Sequence, residues 1–177
     1  MTFRGKGPME RSRCHCGDHI WTNLTKGFVL MISPEDEEIL DHNWSLGFSR
    51  KARLYVCAQR MKRKDGGGHH SVSIHRALAK PDLGMVVDHA NMNSLDNRRE
   101  NIRVCTPQQN LLNRPAYRGK KVPLKGVQLD KHSGRYKAVI RFNNRWQYLG
   151  IYDTPEEAHE AYAAKARELH GEFFRAE

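Results

Sequence analysis

The chain lacks any apolar run approaching the ~18 residues that span a bilayer. Its opening, MTFRGKGPMERSRCHCGDH, has none of the apolar core of a signal peptide. A membrane location and secretion are therefore not expected, and an intracellular protein is. Cysteine is scarce: Cys14, Cys16, Cys57 and Cys105 are too few and too scattered for a disulfide framework and are expected to be free thiols. Of these, only Cys14 and Cys16, with His19, resemble metal ligands. A zinc site needs a fourth ligand and usually a CxxC spacing, so residues 1–21 are expected to form a disordered N-terminal tail instead. Apolar residues make up only 38% of the 177, which favours two small modules over one large core. Acids are outnumbered, 20 against 30 Lys and Arg, for a formal charge of +10. Such a surface suits a polyanionic partner, because neutralised phosphates release their condensed counterions. A merely basic, soluble surface is the competing explanation at this level.

Charge is also segregated. Glu35, Asp36, Glu37, Glu38 and Asp41 form an acidic stretch, whereas residues 42–80 carry nine Lys or Arg and one acid, Asp65. Within that basic part RLYVCAQRM (53–61) alternates as a strand, the 66–68 glycine run turns the chain, and HHSVSIHRALA resumes with Val72 and Ile74 as a second strand. After Asn110 the composition shifts: the Pro-, Gly- and Lys-rich residues 116–123 read as a linker between a module at 22–115 and one at 124–177. The second module offers three short strands, KGVQLD, RYKAVIR and RWQYLGIY, the last two joined by a turn at Asn143 and Asn144. A helix then starts at Thr154 as N-cap, with Pro155 first and Glu157 at the capping-box position. Ala158, Ala161, Tyr162, Ala166 and Leu169 form its apolar stripe, and Gly171 ends it.

In the first module a short apolar strand, 85–87, ends in Asp88 and His89. CTPQQNLLN then starts a helix, with Thr106 as N-cap and Asn110 in its first turns. A carboxylate and an amide oxygen are hard donors suited to an octahedral Mg2+ that also takes phosphate oxygens. The imidazole left over, with an unperturbed pKa of ~6.5, matches a general base near neutral pH. By spacing alone, however, Asp-His pairs and Asn-rich turns are common on ordinary surfaces.

The stretch IHRALAKP…VVDHANMNSLDNRRENIRVCTPQQN closely resembles the His-Asn-His (HNH) endonucleases, in the branch found among phage and intron-associated homing endonucleases. The resemblance implies Asp88 as a metal ligand, His89 as the general base, Asn101 as the central asparagine that orients the histidine loop, and Asn110 as the second metal ligand in place of the family's last histidine. It implies one divalent ion per active site, Mg2+ or Mn2+ rather than Zn2+. His75 matches a recurrent histidine of the branch and is expected to be structural or phosphate-contacting. Asn97 and Arg98 match the family's NNR element and are expected to stabilise the loop. Arg99, Arg103 and Arg114 are candidate phosphate clamps.

In the second module Val127, Leu129, Ala138, Ile140, Leu149 and Ile151 are expected to face the helix. The opposite face carries Gln128, Lys137, Val139, Arg141, Trp146 and Tyr148, basic and aromatic side chains that a DNA groove would cover. This module is similar to the Apetala/ethylene-response-factor (ERF) domain through KGVQLDKHSGRYKAVIRFNNRWQYLGIYDTPEEAHEAYAAKA, most specifically in its YDT-x-EEA portion. That resemblance implies DNA contacts from Lys125, Gln128, Arg141, Trp146 and Tyr148, with Lys137 added from the same face. Gln128 and Asp130 replace arginines of the plant proteins and His132 a tryptophan, so a plant target sequence does not carry over. The order of the modules resembles phage proteins that join the two, over residues 22–176.

The expected fold is α+β: an N-terminal ββα-metal HNH nuclease module, then a three-stranded antiparallel sheet packed on one helix. The expected function is metal-dependent phosphodiester hydrolysis of double-stranded DNA by a monomer or weak dimer, located in a bacterial cytoplasm if phage-encoded. The alternative is a catalytically inactive, sequence-specific DNA-binding regulator.

Overall fold

A computed structural model describes residues 9–49, 54–62, 67–116, 122–143 and 145–175. Residues 1–8 of the expected tail, Gly66 of the glycine turn, 117–121 of the expected linker and Asn144 of the second turn lie outside the described residues. The protein is a mixed α/β chain of several small sheets and few helices. It divides into two compact units, 1–107 and 108–177.

In the first unit β1 (Ser12–Arg13) and β2 (Ile20–Asn23) form a hairpin, and β2 pairs with β3 (Val29–Ile32). The stretch around 12–23 is thus ordered, not the disordered tail expected from its polarity. Ile20 and Thr22 alternate inward from β2 and are buried, which anchors the segment by contacts remote in sequence. β3 then pairs in parallel with β8 (Asp96–Asn97), Met31 opposite Asp96 and Ile32 opposite Asn97. A second sheet is the antiparallel meander β4 (Ser45–Ser49), β5 (Leu54–Lys62) and β6 (His69–Ser73).

Helix α1 (Ile74–Ala79) follows β6 directly. The sequence pattern had extended the strand through Ile74. The chain instead switches to helix at Ser73, because Ile74 and Leu78, one helical turn apart, both enter the core. Lys80 closes α1 in the left-handed conformation. β7 (Val86–His89) and β9 (Ile102–Cys105) form a two-stranded antiparallel ribbon, with Asp88 opposite Arg103 and His89 opposite Ile102. The core gathers Ile20, Leu30, Ile32, Leu40, Trp44, Ile74, Val87 and Ile102, so the first sheet, α1 and the ribbon share one apolar centre.

The short helix α2 (Pro107–Leu112) leads into the second unit. There β10 (Val127–Leu129), β11 (Tyr136–Phe142) and β12 (Arg145–Tyr152) form an antiparallel sheet whose inner face meets α3 (Pro155–His170). The helix start is built as its sequence reads: Thr154 accepts from the Glu157 N–H, and Glu157 accepts from the Thr154 N–H. Val127, Ala138 and Ile140 of the sheet are buried, as are Ala158, Ala163 and Ala166 of α3. Leu129, expected inside, is 43% exposed at the end of its short strand. A bulge between Ala138 and Val139 breaks the strict alternation. Small residues let the layers close: at Gly126 (φ +74°) an added Cβ would lie 2.0 Å from Tyr162 Cδ2.

Candidate active site

The ribbon β7–β9 and the loop 90–101 between its strands hold the site. The recurring asparagines of this loop are its internal ties. Asn101, nearly fully buried, accepts from the Asn91 backbone N–H (2.9 Å) and donates to the Asp96 carbonyl (2.7 Å). Asn91 donates to Asp96 Oδ2 (2.8 Å) and accepts from the Asn93 N–H (2.8 Å). Asn93 accepts in turn from the Leu95 N–H (3.1 Å). Left-handed Met92 (φ +62°) lets the chain reverse among these ties. The buried Asp96 receives Arg98 in a fork of 2.8 and 2.9 Å. Burial pushes its carboxyl up, but the hydrogen bonds and charge of Arg98, helped by Asn91, outweigh this and the net shift is downward.

Asn97 is completely buried on β8, and its Oδ1 stands 3.1 Å from His89 Nε2. An amide oxygen can only accept, so the imidazole proton resides on Nε2 and Nδ1 is the basic nitrogen. Burial lowers the pKa of His89, against the raising influence of Asn97, Asp88 and Asp96. The ring is thereby neutral near pH 7, the state a proton acceptor needs. His75 packs edge-on against it, ring centres 5.2 Å apart. Burial, with the charges of His89 and Arg76, holds the His75 pKa down to about 4. Its Nε2 lies 2.9 Å from Ser73 Oγ, while its buried Nδ1 has no hydrogen-bond partner among the described residues.

Asp88 is buried beside His89, and Arg103 reaches its Oδ2 through Nε (3.0 Å) and Nη2 (2.8 Å). Arg103 is therefore engaged with a strand partner and is not an outward phosphate clamp. Arg99 is likewise committed: its guanidinium forks onto Asp36, with Nε 2.7 Å from Oδ2, and its N–H donates to Ser33 Oγ. Neither pairing was visible in the sequence, since Asp36 and Arg99 are 63 positions apart. Arg114 is exposed. Asn110 sits on α2, within the unit that begins at Gln108. The donor chemistry of Asp88, an anionic oxygen next to a neutral imidazole, fits a hard divalent cation, and the Asn110 amide is a second donor of the same kind.

In the second unit Gln128, Arg141, Trp146 and Tyr148 are all exposed, with Trp146 and Tyr148 at 65% and 61%. Arg141 lies over the Trp146 ring, 5.9 Å from its centre. Lys137 bonds Asp130 at 3.0 Å. Lys125 departs from the expected surface: its ammonium donates to the Leu112 carbonyl (3.1 Å) and the Arg175 carbonyl and lies against Phe174. Burial, reinforced by Arg175, lowers its pKa to about 8. It fastens the end of the chain to the start of the unit, a role only distant contacts could reveal.

Among the described residues no helix is long and apolar enough to cross a membrane. No solved structure matches the chain. An uncharacterised HNH endonuclease of Acanthamoeba polyphaga mimivirus is 37% identical over 87 residues, a match that covers 49% of this chain and 44% of that protein. The chain thus spans less than half the length of that relative. Residues 80–112, which hold Asp88, His89, loop 90–101 and Asn110, match the HNH endonuclease family.

Proposed function

We propose that the chain is a metal-dependent DNA endonuclease of the HNH type, with an ERF-like C-terminal sheet that binds duplex DNA. The observation that carries the reading is the half-buried His89, its pKa lowered, its Nε2 proton held by Asn97 and its ring next to Asp88, inside the segment that matches HNH endonucleases. In this reading His89 Nδ1 accepts the proton of a water that attacks the scissile phosphorus. Asp88 would ligate one Mg2+ or Mn2+, which when bound offsets charge on the phosphate and the departing 3′ oxygen, and the resemblance to HNH endonucleases offers Asn110 as a second ligand. Asn101 keeps loop 90–101 closed so that Asn97 meets His89. His75 supports the His89 ring and keeps water from one side of it.

The outer face of the second unit is proposed to read DNA through Gln128, Arg141, Trp146 and Tyr148, with Lys137 available once its half-buried pair with Asp130 opens. Lys125 is left out of this surface because its ammonium is occupied within the unit. We place the protein inside the cell, acting as a monomer or weak dimer. The alternative, a DNA-binding regulator without cleavage, has no use for an imidazole held neutral with one fixed proton.

Incubation of supercoiled plasmid with Mg2+ or Mn2+, with and without EDTA, tests the proposal when His89→Ala is run in parallel. Metal-dependent nicking that His89→Ala loses while still shifting duplex DNA in a gel supports it. Retained binding without cleavage by the unsubstituted chain would establish the regulator instead.

A further inference from the structure

The hairpin turn between β1 and β2 carries three groups that the proposed chemistry leaves unused: the thiols of Cys14 and Cys16 and the imidazole of His19. The turn is closed by its own backbone. Cys14 N–H donates to the His19 carbonyl (3.1 Å), Gly17 N–H donates to the Cys14 carbonyl (3.0 Å), and Gly17 adopts φ +81°. A side chain is strained at that dihedral, so glycine permits the reversal. The result gathers the two sulfurs and a ring nitrogen within 4.8 Å of one another.

Cys16 Sγ and His19 Nδ1 are 3.6 Å apart. Bonds of ~2.3 Å to sulfur and ~2.0 Å to nitrogen that meet at a tetrahedral zinc separate the two donors by ~3.5 Å. The pair already stands at the spacing a shared ion imposes. The backbone amide of Cys16 also bonds to the Cys14 side chain, and that of Asp18 to the Cys16 side chain. The hydrogen bond between the two thiols lowers the pKa of Cys14 and raises that of Cys16, while the amide aimed at each sulfur favours thiolate, the form that ligates metal. Two thiolates and an imidazole select a zinc-class ion over Mg2+, Mn2+ or Ca2+, which prefer oxygen.

We infer that Cys14, Cys16 and His19 form a metal site for zinc or a similar borderline ion, with three protein ligands and the fourth position open to solvent, separate from the hard donors at Asp88. Among the described residues no fourth His, Cys, Asp or Glu joins the group, and Cys16 is exposed. The site crosslinks the turn at the head of a continuous ladder: β2 pairs with β3, β3 with β8, and β8 carries Asn97, which bonds His89. Occupancy therefore stabilises the sheet edge that supports the imidazole, and the missing CxxC spacing is replaced by a tight hairpin.

The test uses the full chain, stripped of metal with its thiols reduced, and Co2+ as an optical probe. Thiolate-to-cobalt charge-transfer absorption should saturate at one equivalent and disappear when Zn2+ is added. It should persist in Asp88→Asn and be absent from the Cys14→Ser, Cys16→Ser double variant, with an at least ~100-fold loss of zinc affinity, since weaker outer-sphere losses already cost ~10–100-fold. Zn2+ should raise the melting temperature of the unsubstituted chain and not that of the double variant. A second measurement needs no variant: Zn2+, and not Mg2+, should slow alkylation of Cys14 and Cys16 as mapped by mass spectrometry. No charge-transfer band in the full chain, an equal band in the double variant, or alkylation indifferent to Zn2+ would overturn the site and leave only a thiol–imidazole hydrogen bond.

Discussion

In the first unit the side chains proposed to act are buried or half-buried and tied in place: Asn97 and Asn101 are nearly inaccessible, Asp88 is held by Arg103, and half-buried His89 is held by Asn97. On the sheet of the second unit Gln128, Arg141, Trp146 and Tyr148, proposed to contact DNA, face solvent, and the sheet behind them is kept together by its backbone ladder and a core of mostly small residues. Chemistry on a single bond requires one fixed proton position, which a saturated polar network provides. Contact with a long polyanion requires an accessible face, and a few exposed aromatics and cations supply it. Each unit is thus expected to fail in its own way.

Substitution should separate the two modes, the largest effect first. His89→Ala should lower the cleavage rate by ~10²–10⁴-fold with DNA affinity unchanged, the usual loss for a missing general base. A fall in affinity of the same size would erase the division between the units. Asn101→Ala should destabilise the first unit by about 1–3 kcal/mol in urea unfolding, because it leaves the carbonyl of buried Asp96 without its donor and the Asn91 N–H without its acceptor. The same truncation at Gln128, exposed on β10, should change stability by less than about 0.5 kcal/mol.

Acid should also weaken the first unit. The unfolded chain protonates His75 near pH 6.5, whereas the folded chain resists until about 4. Stability therefore declines as pH falls from 6.5 toward 4, by on the order of 3 kcal/mol in total, and this contribution levels off below 4. His89, also shifted downward, acts in the same sense. Asp96 adds a separate loss at lower pH, as the medium falls through its depressed folded value. Unfolding of His75→Gln followed from pH 7 to pH 4 should show a shallower decline than the unsubstituted chain, and equal slopes would refute this account. At the small end, Arg141→Ala should reduce the salt slope of DNA binding by ~1 if it meets one phosphate, with the cleavage rate at saturating DNA unaltered.

What could be read from the sequence was what is local in the chain. The capping box at Thr154 and Glu157 lies within four residues, and the helix starts there. Asp88, His89, Asn97 and Asn101 fall within fourteen positions and fold onto one another. What escaped depends on remote partners. Ile74, β-branched and at the end of a short apolar run, suits strand or helix alike until the core accepts it together with Leu78. The polar stretch at 12–19 gave no sign of order because its support, β3, comes later. The commitments of Arg99 to Asp36 and of Lys125 to the Leu112 and Arg175 carbonyls join residues at least 13 positions apart, beyond any periodic pattern.

The parallel seam between β3 and β8 has a kinetic consequence. It joins Met31 to Asp96 and Ile32 to Asn97, so 65 positions of chain must be closed into a loop for two residue pairs. Closures of that kind come late, since their entropy is lost before their contacts are gained. Asn97 reaches its buried place only with that closure, and only then does the imidazole acquire its fixed proton. During synthesis the first strands are complete long before the histidine leaves the ribosome, yet competence waits for the seam. If the chain is the proposed nuclease, this order of assembly leaves it unarmed until one of the last acts of folding.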